Sequence, residues 1–339
     1  MLAKARAMYG KRLTGRDYAE LVNCRSLGEL LNYLKTMTDY AESFEAATKD
    51  IGAAQIEELL RMHVLHRSEI LCRYEISIGE NLYRYFIVRN DIKQILAMIR
   101  LLIIGKPEKY LLNLPPFFNK HTELDLYELA AARSFDGLLR ALEGSPYKKI
   151  VEPFAADYDK RGVYIKIEAR LNRYLREFLL KVINRGNSAR GRRQIHGIIN
   201  YAQDMETIVN IYRLIRLADA DSDMIKDYID TEFTNFSSRE IKMLINAPKA
   251  RDMFSLISET CYRKDFANVD FSYLEDAVQE LMYRRFSREI RYYTNATAVM
   301  FCYIFLAENE VRNIIHIVEG IRYGNPPEKI RAMLVGADN

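Results

Sequence analysis

The sequence predicts an all-α chain built from three related helical bundles. Two observations carry this expectation. Helix-favouring residues dominate, Gly and Pro number only 15 and 8 among 339 residues, and alternation of apolar and polar side chains is scarce. One helical pattern also recurs three times, as RNDIKQILAMIRLL from Arg89, AQDMETIVNIYRLI from Ala202 and ENEVRNIIHIVEGI from Glu308. Each copy carries an early acid, Asp91, Asp204 or Glu310, at separations of 113 (204 − 91) and 106 (310 − 204). The continuations Asp91–Ile95–Ile99, Asp204–Ile208–Tyr212 and Glu310–Ile314–Val318 stack along one helix face. A threefold internal repeat means one supersecondary unit used three times.

The elements follow in the same order in each third. A pair of short helices opens it, over 17–40, 126–147 and 240–262. A Tyr after a small polar residue closes each pair: Thr38-Asp39-Tyr40, Ser145-Pro146-Tyr147 and Thr260-Cys261-Tyr262. A strongly charged amphipathic helix comes next, from Leu59, Ile167 and Leu274, and the repeated helix ends the third. Gly105-Lys106-Pro107 is a stop signal of Gly followed by Pro, and Pro115-Pro116 is a second break. The second third starts near Thr122 and ends in the acidic, poorly periodic segment 218–223. The third begins near Glu232, where Ser237 followed by Glu240 has the pattern of a capping box. The expected repeats are therefore 1–114, 115–225 and 226–339. Residues 188–193 and 160–163 read as loops, and the chain finishes through Gly324-Asn325-Pro326-Pro327 into a short helix and a frayed tail.

Composition narrows the function classes. With 49% hydrophobic and 28% charged residues the chain has the balance of a soluble globular protein, and a net charge of +4 does not by itself argue for nucleic acid. The most apolar run, 296–307, is bounded by Asn295 and Glu308 and is far short of the ~20 residues of a membrane span. No secretory signal is visible, so any membrane association is expected to be peripheral. Cys24, Cys72, Cys261 and Cys302 are far apart in apolar helical surroundings and read as buried reduced thiols of a cytosolic protein.

The sequence holds no phosphate-cradling loop, dinucleotide fingerprint, zinc-protease helix motif or nucleophile elbow. His63-x-x-His66 with Glu69 is a weak metal pattern, and neither metal nor cofactor is expected. Asp91, Asp204 and Glu310 stand out because they recur. Acids early in a helix are favoured by its macrodipole, an intrahelix pair would serve as well, and a role between repeats or toward a partner is the alternative. Three carboxylates on three separate bundles do not suit acid–base catalysis, which needs them within a few ångströms. Arg185, Arg190, Arg192 and Arg193 lie in NRGNSARGRR. Gly and Ser spaced by Arg suit RNA or anionic headgroups, or simply a solvated loop, and no aromatics interleave to stack bases. These seven residues are the candidate interface or inter-repeat positions, and no residue is expected to be catalytic.

Ala5-Arg6, Leu13-Thr14-x-x-Asp17-Tyr18, Ser26-Leu27-x-x-Leu30 and Thr38-x-Tyr40, with ENEVRNIIHIV from Glu308, resemble the rotor-socket subunit of V-type and A-type ATPases. Its letter is C in prokaryotic enzymes and d in eukaryotic ones. The resemblance spans the chain, although the few residues that usually precede the Ala-Arg helix are missing. It implies a funnel of three pseudo-equivalent bundles about a pseudo-threefold axis, on the cytoplasmic end of a membrane rotor ring of proteolipid subunits. It also implies that the funnel receives the central shaft of subunits D and F, has no active site, and transmits torque for ATP-coupled proton or sodium transport. No nucleic acid and no small-molecule substrate belong to that picture. The alternative from another class is a helical-repeat nucleic-acid-binding or scaffold protein.

Overall fold

A computed structural model of the chain describes residues 1–47, 51–73, 79–113, 122–160, 162–184, 188–217, 221–229, 234–267 and 274–337. The Pro115-Pro116 break, Arg185 and the start near Glu232 lie outside the described residues. Among the described residues there is no β-strand. The chain begins with α1 (Leu2–Gly10), α2 (Gly15–Val22), α3 (Leu27–Met37), α4 (Ala53–Arg73) and α5 (Gly79–Ile103). It continues with α6 (Leu126–Ala131), α7 (Phe135–Ala141), α8 (Lys148–Val151), α9 (Val163–Asn184), α10 (Ala189–Leu217) and α11 (Ser222–Tyr228). The last helices are α12 (Ser238–Ile245), α13 (Asp252–Ile257), α14 (Arg263–Phe266), α15 (Leu274–Tyr292), α16 (Ala296–Arg322) and α17 (Pro327–Arg331). One plan recurs: a short pair (α2 and α3, α6 and α7, α12 and α13), a charged helix (α4, α9, α15), and a long helix bearing the repeated pattern (α5, α10, α16).

Local chemistry sets the helix ends. Thr14 and Asp17 form a reciprocal capping box at α2, and Ser237 and Glu240 form the predicted one at α12. Asp125 accepts the N–H groups of Tyr127 and Glu128 at the start of α6. The residue before each of these caps, Leu13, Leu124 or Phe236, is buried and pins the entry of the chain. After α5, Gly105 adopts φ +67°. There the N–H of Lys106 reaches Leu101 O at 2.9 Å and that of Gly105 reaches Leu102 O at 3.1 Å. This left-handed termination needs the glycine that the stop signal supplied.

Four expectations are corrected. Residues 189–193 are helical rather than loop, because Ser188 accepts the N–H of Gly191 at 3.1 Å and starts α10 there. Gly191 is tolerated in that turn because a Cβ would lie 2.5 Å from Asn295 Nδ2. Within the acidic segment, Asp221 caps α11 by accepting the N–H of Met224 at 2.8 Å. Residues 334–337 are not a frayed tail: Val335 and Ala337 are buried, and side chains of α16 hold the Val335 backbone. Cys302 is buried as expected, but Cys24 is only half-buried and Cys261 is exposed. The side chain of Cys72 is not among those described.

The chain divides into two compact units, Met1–Gly79 with Asn187–Val209 and Ile257–Asn339, and Glu80–Gly186 with Asn210–Leu256. In the first, α16 is central and packs against α15, α4, α1, α3, α2 and α17. Its Ile314 and Ile317 are fully buried with Leu30, Phe44 and Leu60. In the second, Ile95 and Ile99 of α5 are fully buried with Leu129, Leu138 and Leu171 of α6, α7 and α9. Each such side chain contributes about 1.5–3 kcal/mol by leaving water. No helix among the described residues is long and apolar enough to cross a membrane.

Two helical glycines should respond in opposite directions. A Cβ on Gly320 would meet Ile330 of α17 at 2.5 Å, whereas one on Gly197 meets nothing closer than 3.7 Å. Gly320→Val should lower stability by about 1–3 kcal/mol, and Gly197→Ala should raise it by up to about 1 kcal/mol. Thermal unfolding of the two variants checks this. Equal shifts would mean that the approach of α17 to α16 does not constrain Gly320.

Candidate functional site

Asp91, Asp204 and Glu310 lie well inside α5, α10 and α16, not in a first turn. The macrodipole acts within the first turn, so it does not account for them. Asp91 and Asp204 are fully buried and Glu310 is half-buried. A carboxylate withdrawn from water needs hydrogen-bond donors, and in all three cases one donor is a tyrosine hydroxyl. Tyr147 donates to Asp91 Oδ2 at 3.1 Å, Tyr262 to Asp204 Oδ2 at 2.5 Å, and Tyr40 to Glu310 Oε1 at 2.8 Å. These are the tyrosines that close the three short-helix pairs. Each acid takes the tyrosine of the next third along the sequence, and the last acid takes the tyrosine of the first.

The small polar residue two before each tyrosine shapes the turn. Thr38 donates to Leu34 O at 2.7 Å and accepts the N–H of Tyr40 at 3.2 Å. Thr260 donates to Ile257 O at 2.7 Å and accepts the N–H of Tyr262 at 3.2 Å. Ser145 donates to Leu142 O at 2.7 Å. The hydroxyl thus ends the second short helix and, at two of the three positions, fixes the backbone that carries the ring.

Backbone donors complete two of the clasps. The N–H of Leu13, just before the Thr14 cap, reaches Glu310 Oε2 at 2.7 Å. The N–H of Glu123 reaches Asp91 Oδ2 at 3.4 Å, and the Thr122 hydroxyl donates to Asp91 Oδ1. One carboxylate therefore holds both the entrance and the exit of the next short-helix pair.

Burial dominates the electrostatics. It pushes Asp91 up to about 6 against the lowering effect of its hydrogen bonds from Thr122, Glu123 and Tyr147. It pushes Glu310 up to about 7, again against Tyr40, Leu13 and Arg12. Burial and the neighbouring carboxylates push the Tyr40 and Tyr147 hydroxyls well above their usual range, so they remain donors. His63 of α4 stacks on Tyr40 with ring centroids 4.3 Å apart, and its Nδ1 is 2.7 Å from Ser43 Oγ. Burial lowers it to about 4, so it is neutral near pH 7. A cavity of about 40 Å³, roughly the room of one water, lies beside this clasp and touches Arg12, Tyr18, Tyr40, His63, Asn309 and Glu310.

The arginine candidates do not join these clasps. Arg190, Arg192 and Arg193 lie in the first turns of α10, with Arg190 and Arg193 exposed and Arg192 half-buried, and Arg185 is outside the described residues. Among the described residues, no three of His, Cys, Asp and Glu converge as metal ligands would. The tyrosines were visible in the sequence as a repeated ending. What it did not announce is that they partner the repeated acids, one third out of register.

A family model described as ATP synthase (C/AC39) subunit matches residues 1–333. The chain belongs to this family. Among similar proteins, it is 28% identical over 263 residues to the C subunit of the A-type ATP synthase of Methanosphaera stadtmanae, covering 76% of this chain and 63% of that protein. It is 24% identical over 346 residues to the protein of the same name from Methanocaldococcus jannaschii, covering 98% of this chain and 85% of that one. It is 21% identical over 342 residues to that of Pyrococcus abyssi, covering 98% and 88%. The chain thus spans just under two thirds of the first of these relatives and most of the other two. In this C/AC39 chain the family match covers all three clasps.

The clasps make stability depend on pH in a stated direction. Both carboxyls are raised, so the folded chain holds their protons more tightly than the unfolded chain does. That stabilisation is complete below the ordinary carboxyl range and is lost as pH rises through about 6 at Asp91 and about 7 at Glu310. Glu310→Gln should flatten the fall of melting temperature with pH between about 4.5 and 7, and Asp91→Asn the fall between about 3.8 and 6. An unchanged slope in Glu310→Gln would show that this carboxyl does not titrate there. Tyr147→Phe should cost about 1–3 kcal/mol in denaturant unfolding, since it strips a donor from a buried carboxylate. Tyr127→Phe, at a ring that is 67% exposed, should cost nothing measurable.

Proposed function

We propose that this chain is the non-catalytic socket subunit of a rotary A/V-type ATPase. In this reading it sits peripherally on the cytoplasmic face of the membrane, between the shaft of subunits D and F and the proteolipid rotor ring. It transmits torque for ATP-coupled proton or sodium transport, with its three repeats forming a funnel of helical bundles about a pseudo-threefold axis. The observation that carries the proposal is the family match over residues 1–333. The C subunits of A-type ATP synthases that it resembles support the same reading.

The clasps supply a physical rationale. A part that transmits torque must resist deformation. Three carboxylates, two fully buried and one half-buried, are each hydrogen-bonded to a tyrosine from another third of the sequence and join distant stretches of chain. A buried hydrogen bond to a charged group is worth about 1.5–3 kcal/mol and has a defined geometry. That suits a rigid coupling better than a hinge. Asp91, Asp204 and Glu310 then serve as joints between repeats. Arg190, Arg192 and Arg193 remain candidates for contact with another component.

The test compares pumping with hydrolysis in vesicles carrying the assembled complex. Ile314 is fully buried at the centre of the first unit, and Ile314→Ala should cost about 2–5 kcal/mol of stability. ATP-driven ion uptake should fall, while hydrolysis by the detached head stays at the wild-type rate. If Ile314→Ala destabilises the chain yet leaves both rates and their ratio unchanged, the rigidity of α16 is not what couples them. If the chain fails to co-purify with an ATPase head and a ring-forming proteolipid, the assignment itself fails.

A further inference from the structure

The end of the described chain is seated like a bound peptide. Asn309 and Asn313 of α16 are each 1% exposed. Asn313 donates to Val335 O at 2.9 Å and accepts the N–H of Val335 at 3.0 Å, and Asn309 donates to the same oxygen at 3.1 Å. Two buried amides thus read both backbone groups of one residue. Gly336 follows with φ +69°, and a Cβ there would lie 2.2 Å from the Tyr283 ring. Ala337 is buried, and a Cβ on Gly15 of α2 would lie 3.1 Å from its carbonyl oxygen. The slot therefore requires a small residue at 336, and its far wall belongs to α2, the first helix of the first short pair.

This slot lies at one particular joint. Asn313 also donates to the hydroxyl of Tyr18 on α2 at 3.2 Å, and Glu310, one turn earlier on α16, holds Leu13 and Tyr40. The partners at the Asp91 and Asp204 joints are 56 and 58 residues apart, whereas Glu310 and Tyr40 are 270 apart. The joint between the last and first thirds is thus the one with no short connecting chain, and the seated segment crosses it. The family match stops at residue 333, just before this segment.

We propose that residues 334–337 are an intramolecular peptide ligand, a latch that keeps α2 closed on α16 at the joint between the last and first thirds. Removing it strips the Val335 backbone from the Asn309 and Asn313 amides and the Ala337 wall from Gly15, which leaves the Tyr18–Asn313 bond to hold α2 on α16 there. The inference rests on the first unit's own geometry and does not depend on the proposed place in a rotary complex.

Hydrogen exchange on the isolated chain tests it. A chain ending at Met333 should exchange the amides of α2 and of residues 310–318 at least about tenfold faster. Amides of α9, in the other unit, should be unchanged. A synthetic peptide of residues 331–339 added in trans should restore protection in a saturable way, and a peptide with Val in place of Gly336 should not. If the shortened chain does not fold, Gly336→Ala in the full chain takes its place, because it strains the seat without deleting it. It should loosen the same amides and no others. Unchanged exchange in both variants would overturn the latch, as would equal acceleration throughout the first unit. Concentration-dependent dimers of the full chain that vanish on shortening would also overturn it, because the segment would then serve a second copy.

Discussion

A carboxylate sunk in a helical core is tolerable only while it keeps its donors. This chain places one inside each of its three repeated long helices, and much of the remaining architecture follows from satisfying them. The tyrosine that donates must arrive at a fixed height, so the short helix before it must stop at a fixed residue. Thr38, Ser145 and Thr260 hydrogen-bond the carbonyls that end those helices. At Asp91 and Glu310 an amide donor comes from the entrance to the same short pair, and that entrance is capped and preceded by a buried apolar residue. A change at any of these positions is felt first at the carboxylate.

Much of this was legible in the sequence. The all-α class, the capping box at Ser237 and the stop at Gly105 all depend on local rules that a few adjacent residues express. The repeated acids and the repeated tyrosines were legible too, as two independent series. Their pairing was not, since hydrogen bonding between residues 56 or 270 apart leaves no trace in helical periodicity. The macrodipole account failed because the helices begin at Gly79, Ala189 and Ala296, well before the repeated pattern starts at Arg89, Ala202 and Glu308. The loop reading of residues 188–193 failed because Gly191 and its flanking arginines resemble a turn, while the true reason for that glycine is the close approach of Asn295. The seated end of the chain was missed because its polar partners, Asn309 and Asn313, look like ordinary surface residues of an amphipathic helix.

The three joints are alike in design and unequal in circumstance. Closing a loop of 270 residues rather than one near 57 costs only about 1.4 kcal/mol more by chain entropy. That is comparable to a single net hydrogen bond. The joint at Glu310 carries more than this in compensation, through the Leu13 amide, the Tyr18–Asn313 bond and the bonds to Val335. It is also the joint whose acid has the longer side chain, is only half-buried, and lies beside a small cavity.

In the order of the sequence the acid–tyrosine pairing is cyclic and has no natural first member. Leu2 opens a helix that packs against α16, and Ala337 is buried beside α2. Both ends of the described chain therefore lie in one compact unit. A circular permutant that linked them would change which repeat comes first while each acid kept its own tyrosine. The order in which the ribosome delivers the repeats and the order in which they hold one another are separate properties of this protein.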